Sequence, residues 1–122
     1  MKRLLAGLCM GAMLGGAACR KQEYRRAWID VPDLRGEECA CRVENVVRRQ
    51  PGIDPEGLDV DWEQRRVVVV YDSMVIALKN IEHALAQAGF MANDVPADAA
   101  AAAALPEACR PRLSGPDAEP AP

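Results

Sequence analysis

Arg66-Val67-Val68-Val69-Val70-Tyr71-Asp72-Ser73 runs into Leu78-Lys79-Asn80-Ile81-Glu82-His83-Ala84-Leu85-Ala86-Gln87-Ala88-Gly89-Phe90. The first half, Arg66 to Tyr71, is rich in β-branched residues and predicts a strand. Asp72 or Ser73 is suited to cap a helix. Leu78, Ile81, Leu85 and Ala88 then recur at helical spacing and form one apolar stripe. Gly89 ends that helix, and Phe90 to Val95 predicts a short strand.

Upstream, Leu58, Val60 and Trp62 alternate with Asp59 and Asp61, the period of a half-buried strand, and Glu63-Gln64-Arg65 makes the turn. Further back, a helix is expected from Glu37 or Glu38 to Gln50. Cys39, Val43, Val46, Val47 and Gln50 share one face, with Glu37 and Glu38 in the first turn and Arg48 and Arg49 in the last. Pro51-Gly52 stops it. Before it, Arg26 to Val31 alternates as a strand and Pro32-Asp33 ends it. The order is β-α-β-β-α-β, with two helices on one face of a four-stranded antiparallel sheet. This is the ferredoxin-like α+β sandwich. Trp62 is expected in the core and Trp28 on the open face of the sheet. His83 falls away from the apolar stripe and is expected at the surface.

The ends of the 122-residue chain differ from this middle. Met1-Lys2-Arg3 followed by Leu4 to Leu14 and Gly16-Ala17-Ala18 reads as a signal peptide over 1–18, its apolar run too short to span a membrane. Gly16-Ala17-Ala18-Cys19 reads as a lipobox, although Gly16 stands where a branched apolar residue is more usual. Cys19 is therefore the expected lipidation site, with 19–25 as a lipidated linker. Two or more acyl chains would hold the protein firmly on a membrane. Arg20 at the next position fits an outer-membrane lipoprotein facing the periplasm. Loss of 1–18 leaves 13 basic against 18 acidic residues, a net charge of −5, which argues against nucleic acid as a partner. At the other end, Pro96 to Ala104 is nearly all alanine and reads either as a helix opened by Pro96 and Asp98 or as a low-complexity linker. Leu105 to Cys109 closes this alanine-rich tail over 96–109, and 110–122, with its prolines and little apolar content, reads as disordered.

Of the five cysteines, Cys39, Cys41 and Cys109 fall in mature folded or tail segments. Cys39 and Cys41 sit at a predicted strand-to-helix turn, Gly36-Glu37-Glu38-Cys39-Ala40-Cys41. There the helix amides and dipole favour a thiolate. Thiolates are the donors that Cu(I), Zn(II) and Hg(II) prefer. Burial or a disulfide is the competing reading, because an exported protein meets an oxidising compartment.

Several stretches resemble the heavy-metal-associated domains of copper chaperones, of P-type ATPase amino-terminal regions and of periplasmic mercury-binding proteins. They are the thiol turn, Val43-Glu44, Gln50-Pro51-Gly52-Ile53, Val67 to Asp72, and Ile81 to Phe90 ending in Ala-Gly-aromatic. The resemblance covers about 26–95 and implies the same fold. In those domains two cysteines are separated by two residues, the second lying four residues before Val-Glu. Here Cys39 takes the second position, Gly36 falls at the first, and Leu34 falls at the family's methionine. Cys41 is extra, and residues two apart on a regular helix point about 200° apart. So Cys39 and Cys41 converge only if Cys39 lies in the loop or the first turn is irregular.

The tail offers a replacement donor. A sheet of this kind is about 17–20 Å long, and a helix of roughly eight residues covers about 12 Å. The stretch 96–109 can thus return Cys109 to the thiol turn. Leu105 to Cys109 is similar to a Leu-Pro-Glu-Cys ending after alanine-rich segments in some exported relatives, which implies Cys109 as a ligand supplied in cis. The expected metal site is Cys39 with Cys109 and Cys41, for Cu(I) first and Zn(II) or Hg(II) as alternatives. Met91 is a weaker thioether candidate, and simple packing is the better explanation of it. Against this stands a disulfide from Cys39 or Cys41 to Cys109 that pins the tail, or an alternation of the two states. The sequence shows no catalytic constellation, so the expected protein is not an enzyme. It is expected to bind a heavy metal at the cell envelope and pass it to a metal-transport or metal-resistance protein. An interaction module that kept the fold, and a thiol–disulfide redox protein acting through Cys39 and Cys41, are the alternatives.

Overall fold

The structure is a computed structural model and describes residues 21–111. The expected signal segment, Cys19, Arg20 and the chain past Pro111 lie outside the described residues. β1 (Tyr24–Asp30) pairs antiparallel with β3 (Arg66–Asp72) along its whole length, Trp28 opposite Val68 and Tyr24 opposite Asp72. β2 (Asp59–Asp61) pairs with the other edge of β3, so the sheet order is β1-β3-β2. α1 (Glu37–Arg48) and α2 (Leu78–Gln87) cover one face of this sheet. The α+β, ferredoxin-like arrangement expected from the sequence is present.

The core forms because alternation in β1 and β3 and the helical stripes meet. Ile29, Val67 and Val69 from the sheet pack with Val43 and Val47 of α1 and Ile81 and Leu85 of α2. Val31, Leu34 and Phe90 close the ends of this cluster, all fully buried.

Three expectations need correction. The fourth strand, Phe90 to Val95, does not form: among the described residues the sheet has three strands. Ala92 and Val95 bond to each other in a tight turn, with Asn93 in the left-handed region at φ 52°. Asn93-Asp94 before Pro96 is turn-forming chemistry that outweighs the apolar character of the flanks. One residue substitutes for the strand. The Asn93 N–H donates to the Asp30 carbonyl at 2.8 Å, and Asn93 Oδ1 accepts from the Asp30 N–H at 2.9 Å. Asn93 Nδ2 donates to the buried carboxylate of Glu82 at 2.6 Å.

Second, α2 starts at Leu78, later than Asp72 or Ser73. The Asp72 carboxylate is already engaged, accepting from the N–H groups of Glu23 and Met74 at 3.0 Å each, and it builds a separate turn. Third, Trp62 is not core. β2 ends at Asp61, the alternation stops there, and Trp62 is 39% exposed in the turn. Trp28 is 53% exposed on the open face, and His83 is exposed, both as the sequence suggests.

Candidate metal centre

Gly36 is the residue before α1, and its backbone is extended. α1 is regular from Glu37 onward, so Cys39 falls on its buried face and Cys41 on its outer face. This is the divergence expected of residues about 200° apart on a regular helix. Cys39 is 1% exposed and belongs to the core; Cys41 is an exposed free thiol.

The alanine-rich tail folds as a helix, α3 (Ala99–Ala103), and not as a loose linker. Asp98 caps it, its carboxylate accepting from the Ala101 N–H at 2.9 Å. The Asp98 N–H donates to the carbonyl of Ala86 at 2.9 Å, which fixes the start of α3 to the end of α2. Gly89 makes the crossing possible. Its φ of +104° lies in the left-handed region, and a Cβ there would stand 3.0 Å from the Ala101 backbone and 2.9 Å from Leu105. Ala102 and Leu105 are buried against the body of the protein.

The chain then turns through a 3₁₀ segment (Glu107–Cys109) that returns Cys109 to the first turn of α1. Cys109 is fully buried and disulfide-bonded to Cys39, with 5.5 Å between the two Cα atoms and a sequence separation of 70. Arg35 strengthens the junction. It pairs with Asp33 at 3.1 Å, donates to the Ala108 carbonyl at 3.1 Å, and also reaches the Arg110 carbonyl. Arg110 Nε in turn donates to the Leu105 carbonyl at 2.9 Å.

The structure therefore brings together two of the three cysteines named from the sequence, Cys39 and Cys109, and leaves Cys41 apart. Among the described residues no group of three or more His, Cys, Asp or Glu side chains gathers to hold an ion. A Cys39–Cys41 bridge is not formed. Met91 sits 37% exposed beside a groove of about 440 Å³ whose walls include Pro96, Ala102, Asp33 and Arg110. Leu34 is core, and a side chain at Gly36 would meet nothing within 4 Å. The clasp of Arg35 on the Ala108 and Arg110 carbonyls and the bond between Asn93 and Asp30 were not foreseen, because these partners lie 73, 75 and 63 residues apart in sequence.

No family model and no curated protein matches the chain. Solved structures do. Oxidised MerP from Ralstonia metallidurans matches with a TM-score of 0.55 at 22% identity, over 58% of this chain and 96% of that one. A copper-binding domain of a P-type ATPase matches with a TM-score of 0.53 at 25% identity, over 57% and 90%. The fold is that of a heavy-metal-associated domain. A further match of this kind is the CopZ metallochaperone, with a TM-score of 0.52 at 22% identity over 56% of this chain and 98% of that one. Relative to the two-cysteine pattern of such domains, this chain carries glycine at the first position, and a cysteine from its own tail bonds to the second.

Proposed function

We propose that this protein binds a soft metal ion at the cell envelope through Cys39 and Cys109, and passes it on by ligand exchange. The observation that carries the reading is the pairing of these two sulfurs, Cα atoms 5.5 Å apart, on a heavy-metal-associated fold. Reduced by two electrons and two protons from an envelope thiol reductant, the bond becomes two thiols. Deprotonated, they form a two-thiolate donor set suited to Cu(I), with Hg(II) next and Zn(II) where further ligands join. The oxidised form is then closed to metal, and reduction opens it. Cys41 is available as a third donor only if the first turn of α1 opens.

The envelope setting rests on the signal-like 1–18 segment and the lipobox ending in Cys19, which would tether the protein by acylation. The recipient is a metal-transport or metal-resistance protein of the same compartment. The activity is binding and transfer without a catalytic step.

A second reading is favoured by the burial of both sulfurs, Cys39 at 1% and Cys109 at 0%. In it the bond is a permanent pin, and the protein is an interaction module that no longer takes metal. One experiment separates the two. Residues 19–122 are prepared reduced and oxidised, and metal and free thiols are counted. The metal-binding reading expects about one Cu(I) per reduced chain, none per oxidised chain, and loss of binding in both Cys39→Ser and Cys109→Ser. If those variants change stability but the reduced wild type takes no metal, the pin is the correct description. Cys41→Ser reports separately on the third donor.

A further inference from the structure

Among the described residues, the outer edge of β1 carries no strand where a fourth was expected. Asp30 turns both its N–H and its C=O outward to Asn93. Antiparallel pairing alternates by two, so Trp28, Arg26 and Tyr24 turn theirs outward too, while Ile29, Ala27 and Arg25 face β3. The flanking bond from the Ser73 N–H to the Glu23 carbonyl fits this phase. Among the described residues no backbone or side-chain group beyond the sheet bonds to the outward groups of Tyr24, Arg26 and Trp28. The Asn93 turn closes the edge at Asp30, and among the described residues nothing pairs with the remainder.

The side chains of the same three residues share the open face. Tyr24 is 51% and Trp28 53% exposed. Arg26 stands between them, exposed and without an ion pair among the described residues. Its neighbours are spoken for: Arg25 pairs with Glu23, and Arg66 pairs with Asp30. The opposing positions on β3, Val68 and Val70, are half-buried, and Gly57 packs directly on Val70. An unpaired strand edge is a template for another strand, with side-chain positions two apart setting the choice of partner.

We propose that the β1 edge from Tyr24 to Trp28 docks an extended acidic segment of a partner protein as an added strand. The partner segment carries a carboxylate opposite Arg26 and apolar side chains two positions to either side, facing Tyr24 and Trp28. Charge selects this occupant over a second copy paired symmetrically, whose own β1 edge would bring its Arg26 against this Arg26. This edge is separate from the cysteines, whether or not they bind metal.

The test uses disulfide-bonded residues 19–122 and a blocked peptide, Ac-Thr-Val-Thr-Glu-Thr-Val-Thr-NH2, with a second peptide in which Lys replaces Glu. Amide hydrogen exchange is followed residue by residue. The Arg26 and Trp28 amides are expected to exchange freely in the protein alone and to slow about tenfold or more with saturating Glu peptide. Arg26→Glu, a surface change that leaves the fold intact, is expected to weaken the Glu peptide by about tenfold and to favour the Lys peptide. Arg26 and Trp28 amides already protected in the free protein overturn the proposal. So do equal effects of the two peptides, or no slowing with either. Protection that grows with protein concentration alone also overturns it, since a second copy would then fill the edge.

Discussion

Asn93 ties the end of β1 to α2 and to the turn that follows it. Its backbone N–H and its side-chain Oδ1 end the β1 edge at Asp30, and its Nδ2 donates to Oε2 of the buried Glu82 carboxylate. Asn93→Ala leaves that carboxylate and the Asp30 N–H short of a partner, and a cost of about 2 kcal/mol is expected in urea unfolding. Glu82 also receives Lys79 at 3.0 Å, and this hydrogen bond, followed by the charge of Asp94, raises the Lys79 pKa above 10.5. A raised lysine pKa contributes stability that is fully present below the unfolded value and is lost as the pH rises through the folded one. The stability difference between wild type and Lys79→Gln is therefore expected to hold through neutral pH and to disappear above pH 10.5. Cys39 and Cys41 show what one helical repeat does to two similar residues: the first is core, the second surface. Which cysteine faces inward was legible from Val43 and Val47 on the same stripe. Whether it would meet Cys109 or Cys41 depended on how regular the first turn is.

Among the elements, α3 shows how a low-complexity stretch becomes structure. Its alanines bury little area, yet it has a capping aspartate, a hydrogen bond to Ala86 and a glycine that admits its backbone. Gly89→Ala is expected to lift α3 off α2, because the left-handed φ and the 3.0 Å approach both penalise a Cβ. The expected loss is about 1–3 kcal/mol, with faster protease cleavage near Ala104. Asp98→Ala should give the same cleavage pattern more weakly, at about 1 kcal/mol. Cleavage at unchanged rates in both variants would mean that the disulfide alone holds the tail. The failed fourth strand belongs to this scale as well. Phe90 and Ala92 are buried as strand residues would be, which is why the pattern misled. Asn93-Asp94 and Pro96 decide the local backbone instead.

For the whole molecule the disulfide is the long-range constraint, joining residues 70 apart across a small aliphatic core. Closing such a loop is expected to contribute about 4 kcal/mol through the unfolded state. Cys39→Ser and Cys109→Ser should each lose that amount in non-reducing denaturation, and Cys41→Ser should lose nothing. A reductant should bring the wild type down to the level of the two variants. If the reduced protein keeps its tail docked, the Arg35 clasp and the α3 packing suffice to hold Cys109 beside Cys39, and a preformed dithiol is ready for metal. Loss of the tail on reduction would instead couple any metal uptake to refolding of 96–111.

The sequence alone determined the order from β1 through α2, the stripes of the two helices, the buried side of Cys39 and the resemblance to heavy-metal-associated domains. These follow from periodicity and turn chemistry, which act over a few residues. Tertiary structure alone decided that Cys109 pairs with Cys39, that Arg35 clasps the tail, and that Asn93 takes the place of a strand. Each of those depends on groups far apart in sequence meeting at hydrogen-bond or bond distance, and such meetings are fixed only when the whole chain packs.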